Sequence, residues 1–168
     1  MPKVIENLRL KLMEEAKTQA VNGGYSAVTV RSVARACGVG TGTVYNYFPS
    51  KDAIFAAFML ADWQDRMADV EAVSAASAAP EPVLRCIHVQ LCSYLDTYRP
   101  IFRDEGAVSG FGGALGRYHS LLREQLASPL QKFCSDGFTA LFAAEAMLTW
   151  TVSGTPCEEL LSILMKLF

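Results

Sequence analysis

Apolar residues recur at helical spacing along almost the whole chain, and no segment alternates apolar with polar residues as a half-buried strand would. Ile5, Leu8, Leu12 and Ala16 form one stripe, and Val30, Val33, Ala34 and Cys37 form a second. Thr29 precedes the second stripe as an N-cap, its hydroxyl available to an unpaired N–H of the first turn. Gly38 supplies the freedom to end that helix in a left-handed conformation, and Val39 plugs the turn. A third helix is expected from Thr41 to Phe48, stopped by Pro49, which lacks an N–H and restricts the residue before it. Ser50 then caps a long helix through Ile54, Phe55, Phe58, Met59 and Trp63 that breaks at Pro80.

The pattern continues with a helix from Pro82 to Tyr98, marked by Val83, Ile87, Leu91 and Leu95. Pro100 opens a short helix, and the glycine cluster from Gly106 to Gly116 interrupts it. Arg117 to Phe133 is the next helix, with Pro129 placed to bend it, followed by Phe138 to Val152. The last runs from Pro156 to Phe168, with Thr155 and Glu158 spaced as a capping box and Pro156 at the first helical position. The fold class is all-α.

Val28 to Asp52 has the layout of a helix-turn-helix, two short helices joined by a glycine-marked turn. On the second helix each residue advances about 100°. Val44 and Phe48 define its inward face, while Gly42, Thr43 and Asn46 fall opposite and Tyr45 and Tyr47 come out on the flanks. Small residues in front permit close approach to a groove floor, Asn46 can pair with a base edge, and each phenol can reach a phosphate. Arg31 and Arg35 lie on the outer face of the preceding helix; Arg31 is read as a DNA contact and Arg35 as a solvated residue. Lys51 sits in the first turn of the following helix, unfavourable for that helix's dipole but well placed for a phosphate.

Charge follows the same division. The whole chain has a formal net charge of −2. Residues 1–55 carry seven Lys/Arg against four Asp/Glu, a net +3, and residues 56–168 carry eight against thirteen, a net −5. The modest basic excess predicts moderate nonspecific affinity for DNA, so specific binding needs two copies of the motif.

The run GVGTGTVYNYFPSKD, with TVRSVARACGV before it, resembles the DNA-binding signature of the TetR/AcrR family of bacterial transcriptional regulators. The resemblance implies operator contacts from Arg31, Thr41, Gly42, Thr43, Tyr45, Asn46, Tyr47 and Lys51. It also implies an N-terminal three-helix DNA-binding domain, residues 1–50, and a C-terminal helical ligand-sensing and dimerisation domain, residues 51–168. Where the family often has Ser-Lys ahead of Gly-Thr, this chain has Gly40-Thr41, so the recognition helix loses a side-chain cap and a cation. The family encloses a small-molecule pocket in the middle of its second domain. Here that implies an effector, of unknown identity, near His88, Cys92, Tyr94, Tyr98, Phe102, Phe111, Tyr118 and His119, although each aromatic alone is better read as core.

The last two helices are apolar nearly all round, and a helix apolar on every side must be covered on every side. A homodimer built on a four-helix face answers this, with Leu141, Phe142, Glu145, Leu148, Trp150, Leu160, Leu164 and Leu167 as its interface. Dimer symmetry would set the two recognition helices about 34–36 Å apart, one turn of duplex, or somewhat further.

The remaining chemistry is spare. No signal peptide opens the chain and no apolar run approaches the length of a membrane span, so no membrane partner is expected. Five cysteines without CxxC or metal-ligand spacing fit a reducing cytoplasm. His88 and His119 lack partners at metal spacing, and no nucleophile elbow, HExxH or P-loop occurs. No catalysis, cofactor or metal is expected. The expected function is a DNA-binding transcriptional repressor released from a palindromic operator by a small molecule. The alternative is a ligand-independent architectural or interaction protein using the same dimer on DNA.

Overall fold

The computed structural model describes residues 7–107 and 115–168, and of residues 115–118 only the backbone. Every regular element among the described residues is a helix. In chain order these are α1 (Leu8–Gly23), α2 (Val30–Ala36), α3 (Thr41–Tyr45), α4 (Lys51–Ala76), α5 (Pro80–Phe102), α6 (Leu115–Ala127), a 3₁₀ turn (Ser128–Phe133), α7 (Gly137–Val152) and α8 (Cys157–Leu164). No helix among them is long and apolar enough to cross a membrane. The chain divides into two compact units, Met1–Asp62 with Thr97–Gly112, and Trp63–Asp96 with Gly113–Phe168.

In the first unit, α1 to α3 and the start of α4 close over Leu12, Ala16, Val28, Val33, Val44, Phe48, Ile54 and Phe55, all of them buried. Of the stripes that the spacing predicts, Leu8, Leu12, Ala16, Val33 and Ala34 are buried and Val30 and Cys37 half-buried, while Ile5 lies outside the described residues. Thr29 caps α2 as expected, its hydroxyl accepting from the Ser32 N–H at 2.9 Å, and the Ser32 hydroxyl accepts in turn from the Thr29 N–H at 3.0 Å. That reciprocal box satisfies two donors the helix cannot. Removing it with Thr29→Ala is expected to cost about 1 kcal/mol of stability, read as a lowered denaturant midpoint at unchanged slope. Gly38 ends the turn at φ 69°, the left-handed region. Ser50 caps α4, its hydroxyl accepting from the Ala53 N–H at 3.1 Å.

Three boundaries differ from the sequence expectation here. Regular helix ends at Tyr45 rather than Phe48; Asn46 and Tyr47 form a turn in which the N–H groups of Tyr47 and Phe48 both reach the Val44 carbonyl at 3.0 Å. Pro49 disfavours helical geometry at the residue before it, so the rod unwinds from that end. Further on, α5 runs through Pro100 instead of stopping before it. A proline in the last turn removes one hydrogen bond, and burial of Tyr98 and Ile101 on either side holds the helical path. The same helix starts at Pro80, because a first turn needs no N–H from Pro80 or Pro82.

In the second unit, Trp63 is 1% exposed, donates its indole N–H to Gln125 at 2.7 Å, and meets the Tyr94 ring edge-on at 5.4 Å between centroids. The expected helix from Arg117 to Phe133 is instead α6 followed by the 3₁₀ turn. Lys132 there donates to the carbonyls of Ser74 and Ser77 near the end of α4, and the Ser74 hydroxyl donates to the Pro129 carbonyl at 2.8 Å. These bonds tie the tighter turn to carbonyls at and just past the end of α4. At α8 the capping box is not made: Pro156 is the N-cap, without a side-chain bond, and Glu158 pairs with Arg85. That helix also stops at Leu164, short of Phe168.

Candidate nucleic-acid interface

The helix-turn-helix presents the side chains the sequence singled out. With Val44 and Phe48 buried beneath α3, Thr41, Gly42, Tyr45, Asn46 and Tyr47 are exposed and Thr43 is half-exposed. Arg31 is exposed on α2, as is Arg35. A methyl group added at Gly40 or Gly42 would meet nothing within 4 Å, so the front of α3 is open to an incoming surface. Its N-cap is Gly40 with no side-chain bond, the missing cap that the Gly40-Thr41 pair implied. The guanidinium of Arg9 lies 5.1 Å from the Phe48 ring centroid and covers the inner side of the same segment.

Arg31, Thr41, Tyr45 and Lys51 come together in one cleft, which Val28, Thr29 and Val30 complete. Two hydroxyls, a phenol and two cations around a recess between α2, α3 and the start of α4 suit a backbone phosphate. Gly42, Thr43, Asn46 and Tyr47 lie outside that recess. The same surface therefore has a cationic, hydroxyl-lined recess beside a small, polar front.

Lys51 does not simply project into solvent. Its ammonium rests 3.7 Å from the centroid of the Tyr25 ring, and burial pulls its pKa below the usual lysine value, against the attraction of Asp52 and Asp104. The Tyr25 hydroxyl donates to Asp52; burial first, and that bond second, push its own pKa up to about 12. Sequence spacing held no signal for this contact, since Tyr25 lies outside the helical pattern, on the turn after α1.

The residues assigned to a ligand pocket are not gathered in one unit. His88, Cys92, Tyr94 and His119 belong to the second and Tyr98 and Phe102 to the first. Phe111 and the side chain of Tyr118 lie outside the described residues. Tyr94 is spent on Trp63, Tyr98 is fully buried with its ring 6.0 Å from that of Phe58, and Phe102 is exposed. His88 Nε2 faces the Thr155 carbonyl at 3.2 Å and its Nδ1 faces the Cys92 sulfur at 3.7 Å, a packing arrangement in which burial raises the thiol pKa. His119 is exposed and lies 3.4 Å from Glu145.

Of the residues assigned to a dimer face, Leu141, Phe142, Trp150 and Leu167 are exposed and Glu145 is half-exposed. Leu148, Leu160 and Leu164 are buried inside their own unit and are corrected to core. A helix apolar on all sides conceals which side turns inward. Phe138, at 75% the most exposed large apolar residue among those described, is exposed as well, as are Val152 and Ile163.

Residues 12–58 match the family described as bacterial regulatory proteins, tetR family. No curated protein matches the chain. Several solved structures share the fold over nearly the full length. A transcriptional regulator from Cytophaga hutchinsonii is 15% identical, with a TM-score of 0.64 over 93% of this chain and 92% of its own. The regulator FadR from Bacillus subtilis, in complex with stearoyl-CoA, is 17% identical, with a TM-score of 0.56 over 95% and 98%. A cysteine mutant of the TetR-family regulator CifR, complexed with 26bp double-strand operator DNA, is 9% identical, with a TM-score of 0.56 over 99% and 96%. Residues 12–58 are thus a DNA-binding domain of the tetR-family type, and the chain that carries them shares an all-α fold with these regulators.

Proposed function

We propose that the chain acts in the cytoplasm as a homodimeric repressor that binds a palindromic operator and leaves it when a small molecule binds. The observation that carries this reading is the exposed front of α3, small and polar over a buried Val44 and Phe48, beside a recess holding Arg31, Thr41, Tyr45 and Lys51. We assign reading of DNA to residues 1–50, and sensing and dimerisation to residues 51–168. The operator complex of CifR and the stearoyl-CoA complex of FadR support operator DNA and a small-molecule effector as the two partners to test first.

Selecting genomic or random duplexes with the purified protein tests the reading directly. A palindromic consensus is the expected result, and recovery of no sequence above background overturns it. On the selected duplex, Asn46→Ala is expected to relax preference at one base pair in each half-site by about 1–3 kcal/mol, leaving the other positions unchanged. Selection with the variant checks this, and an unaltered consensus removes Asn46 from direct readout. Release by a ligand is tested by thermal shift against a panel that includes stearoyl-CoA, where a stabilising compound should also weaken binding to the selected duplex.

A further inference from the structure

We propose that Tyr25 is a positioning residue for DNA binding, its ring face holding the Lys51 ammonium at the rim of the cleft against a backbone phosphate. This rests on the reading of α2 and α3 given above.

A cation in the first turn of a helix is opposed by the helix dipole, so an unrestrained lysine at the start of α4 would swing away. The Tyr25 ring instead offers its electron-rich face at 3.7 Å, within the range of a strong cation–π contact. Asp52 accepts the Tyr25 hydroxyl and so fixes the ring from the far side. Asp104, the other carboxylate nearby, is committed elsewhere. It accepts the Ser26 N–H and hydroxyl, each at 2.7 Å, and the Gly106 N–H at 2.9 Å, and so ties down the loop that carries Tyr25. The ring therefore fixes where the ammonium sits without neutralising it, and Lys51 lines the same recess as Arg31, Thr41 and Tyr45. Holding a lysine in place before DNA arrives removes the entropy of ordering its long side chain on binding.

The test reads the salt dependence of affinity for a duplex selected by the wild-type protein, since each phosphate contact contributes a slope of about −0.9 in log K against log salt. Lys51→Met should flatten the slope by about 0.9 per protomer. Tyr25→Leu should flatten it equally, Tyr25→Phe should retain the wild-type slope, and the Tyr25→Leu/Lys51→Met pair should lose no more than Lys51→Met alone. A wild-type slope in Tyr25→Leu, or a further loss in the double variant, overturns the proposal. Should Tyr25→Leu fail to fold, pentafluorophenylalanine at position 25 keeps the shape and removes the negative ring face. It should flatten the slope where Tyr25→Phe does not, and equal slopes overturn the proposal. In the DNA-free protein, the Lys51 ε-methylene protons should show an upfield ring-current shift in wild type and Tyr25→Phe. Its absence refutes the contact itself, whereas wild type binding no duplex at all sinks the DNA-binding reading instead.

Discussion

Glutamate at position 42 is expected to abolish DNA binding while leaving the fold intact. Gly42 lies on the exposed front of α3, and a Cβ added there meets no neighbouring atom within 4 Å, so a longer side chain starts in open space. The substitution therefore creates no clash, and it replaces the second-worst helix former with a good one, worth roughly 0.5 kcal/mol or more to a short helix. In the groove the same side chain is ruinous. It blocks the close approach that glycine permits and sets a carboxylate among phosphates and base acceptors, where like charges repel in a partly desolvated interface. The loss should be on the order of 100-fold or more, which is about 2.8 kcal/mol at 1.4 kcal/mol per decade. Gly42→Ala should lose less, because a methyl group obstructs without repelling. Fluorescence anisotropy on the selected duplex, alongside thermal unfolding, separates the two effects. Wild-type affinity in Gly42→Glu would mean that another surface meets the DNA.

The contrast between what the sequence reveals and what it hides has a simple physical origin. Local signals were legible: the Thr29 cap, the left-handed Gly38, the Ser50 cap and the burial of Val44 and Phe48 all follow from neighbours a few positions away. Non-local competition was not. Glu158 has the spacing for a capping box with Thr155, yet a guanidinium 73 positions distant takes it, because a bidentate charged pair outweighs one hydroxyl-assisted cap. Pro100 reads as a helix stop until the burial of Tyr98 and Ile101 is known. The candidate interface follows the same rule: the residues of α3 were legible from periodicity. The platform beneath Lys51 was not, since Tyr25 and Lys51 meet only once α1, its turn and α4 are folded together.

Phe142→Glu is expected to convert the protein to monomers and, with them, to remove operator binding. On α7, Phe138, Leu141, Phe142, Glu145, Thr149 and Val152 recur at spacings of three and four, and Ile163 on α8 lies four positions before Leu167, just past that helix's end. The large apolar members of that stripe are exposed, Phe138 and Phe142 with their rings 6.4 Å apart, although α7 is among the most apolar helices of the chain. Covering each such side chain is worth about 1.5–3 kcal/mol, and a contiguous apolar face left in water marks a partner surface. A two-fold interface uses each residue twice, so one substitution removes two phenylalanines and places two carboxylates against a low-dielectric face. Several kcal/mol of lost association would shift the dimer constant by three decades or more. Trp150 is as exposed but lies on the flank of the stripe, so Trp150→Glu should weaken the dimer less. Sedimentation at micromolar concentration reads the first effect and anisotropy the second, since a lone reader of modest charge forfeits half its contacts. An unaltered dimer in Phe142→Glu would place the interface on another face, and a monomer that still holds the selected duplex would remove the need for symmetry.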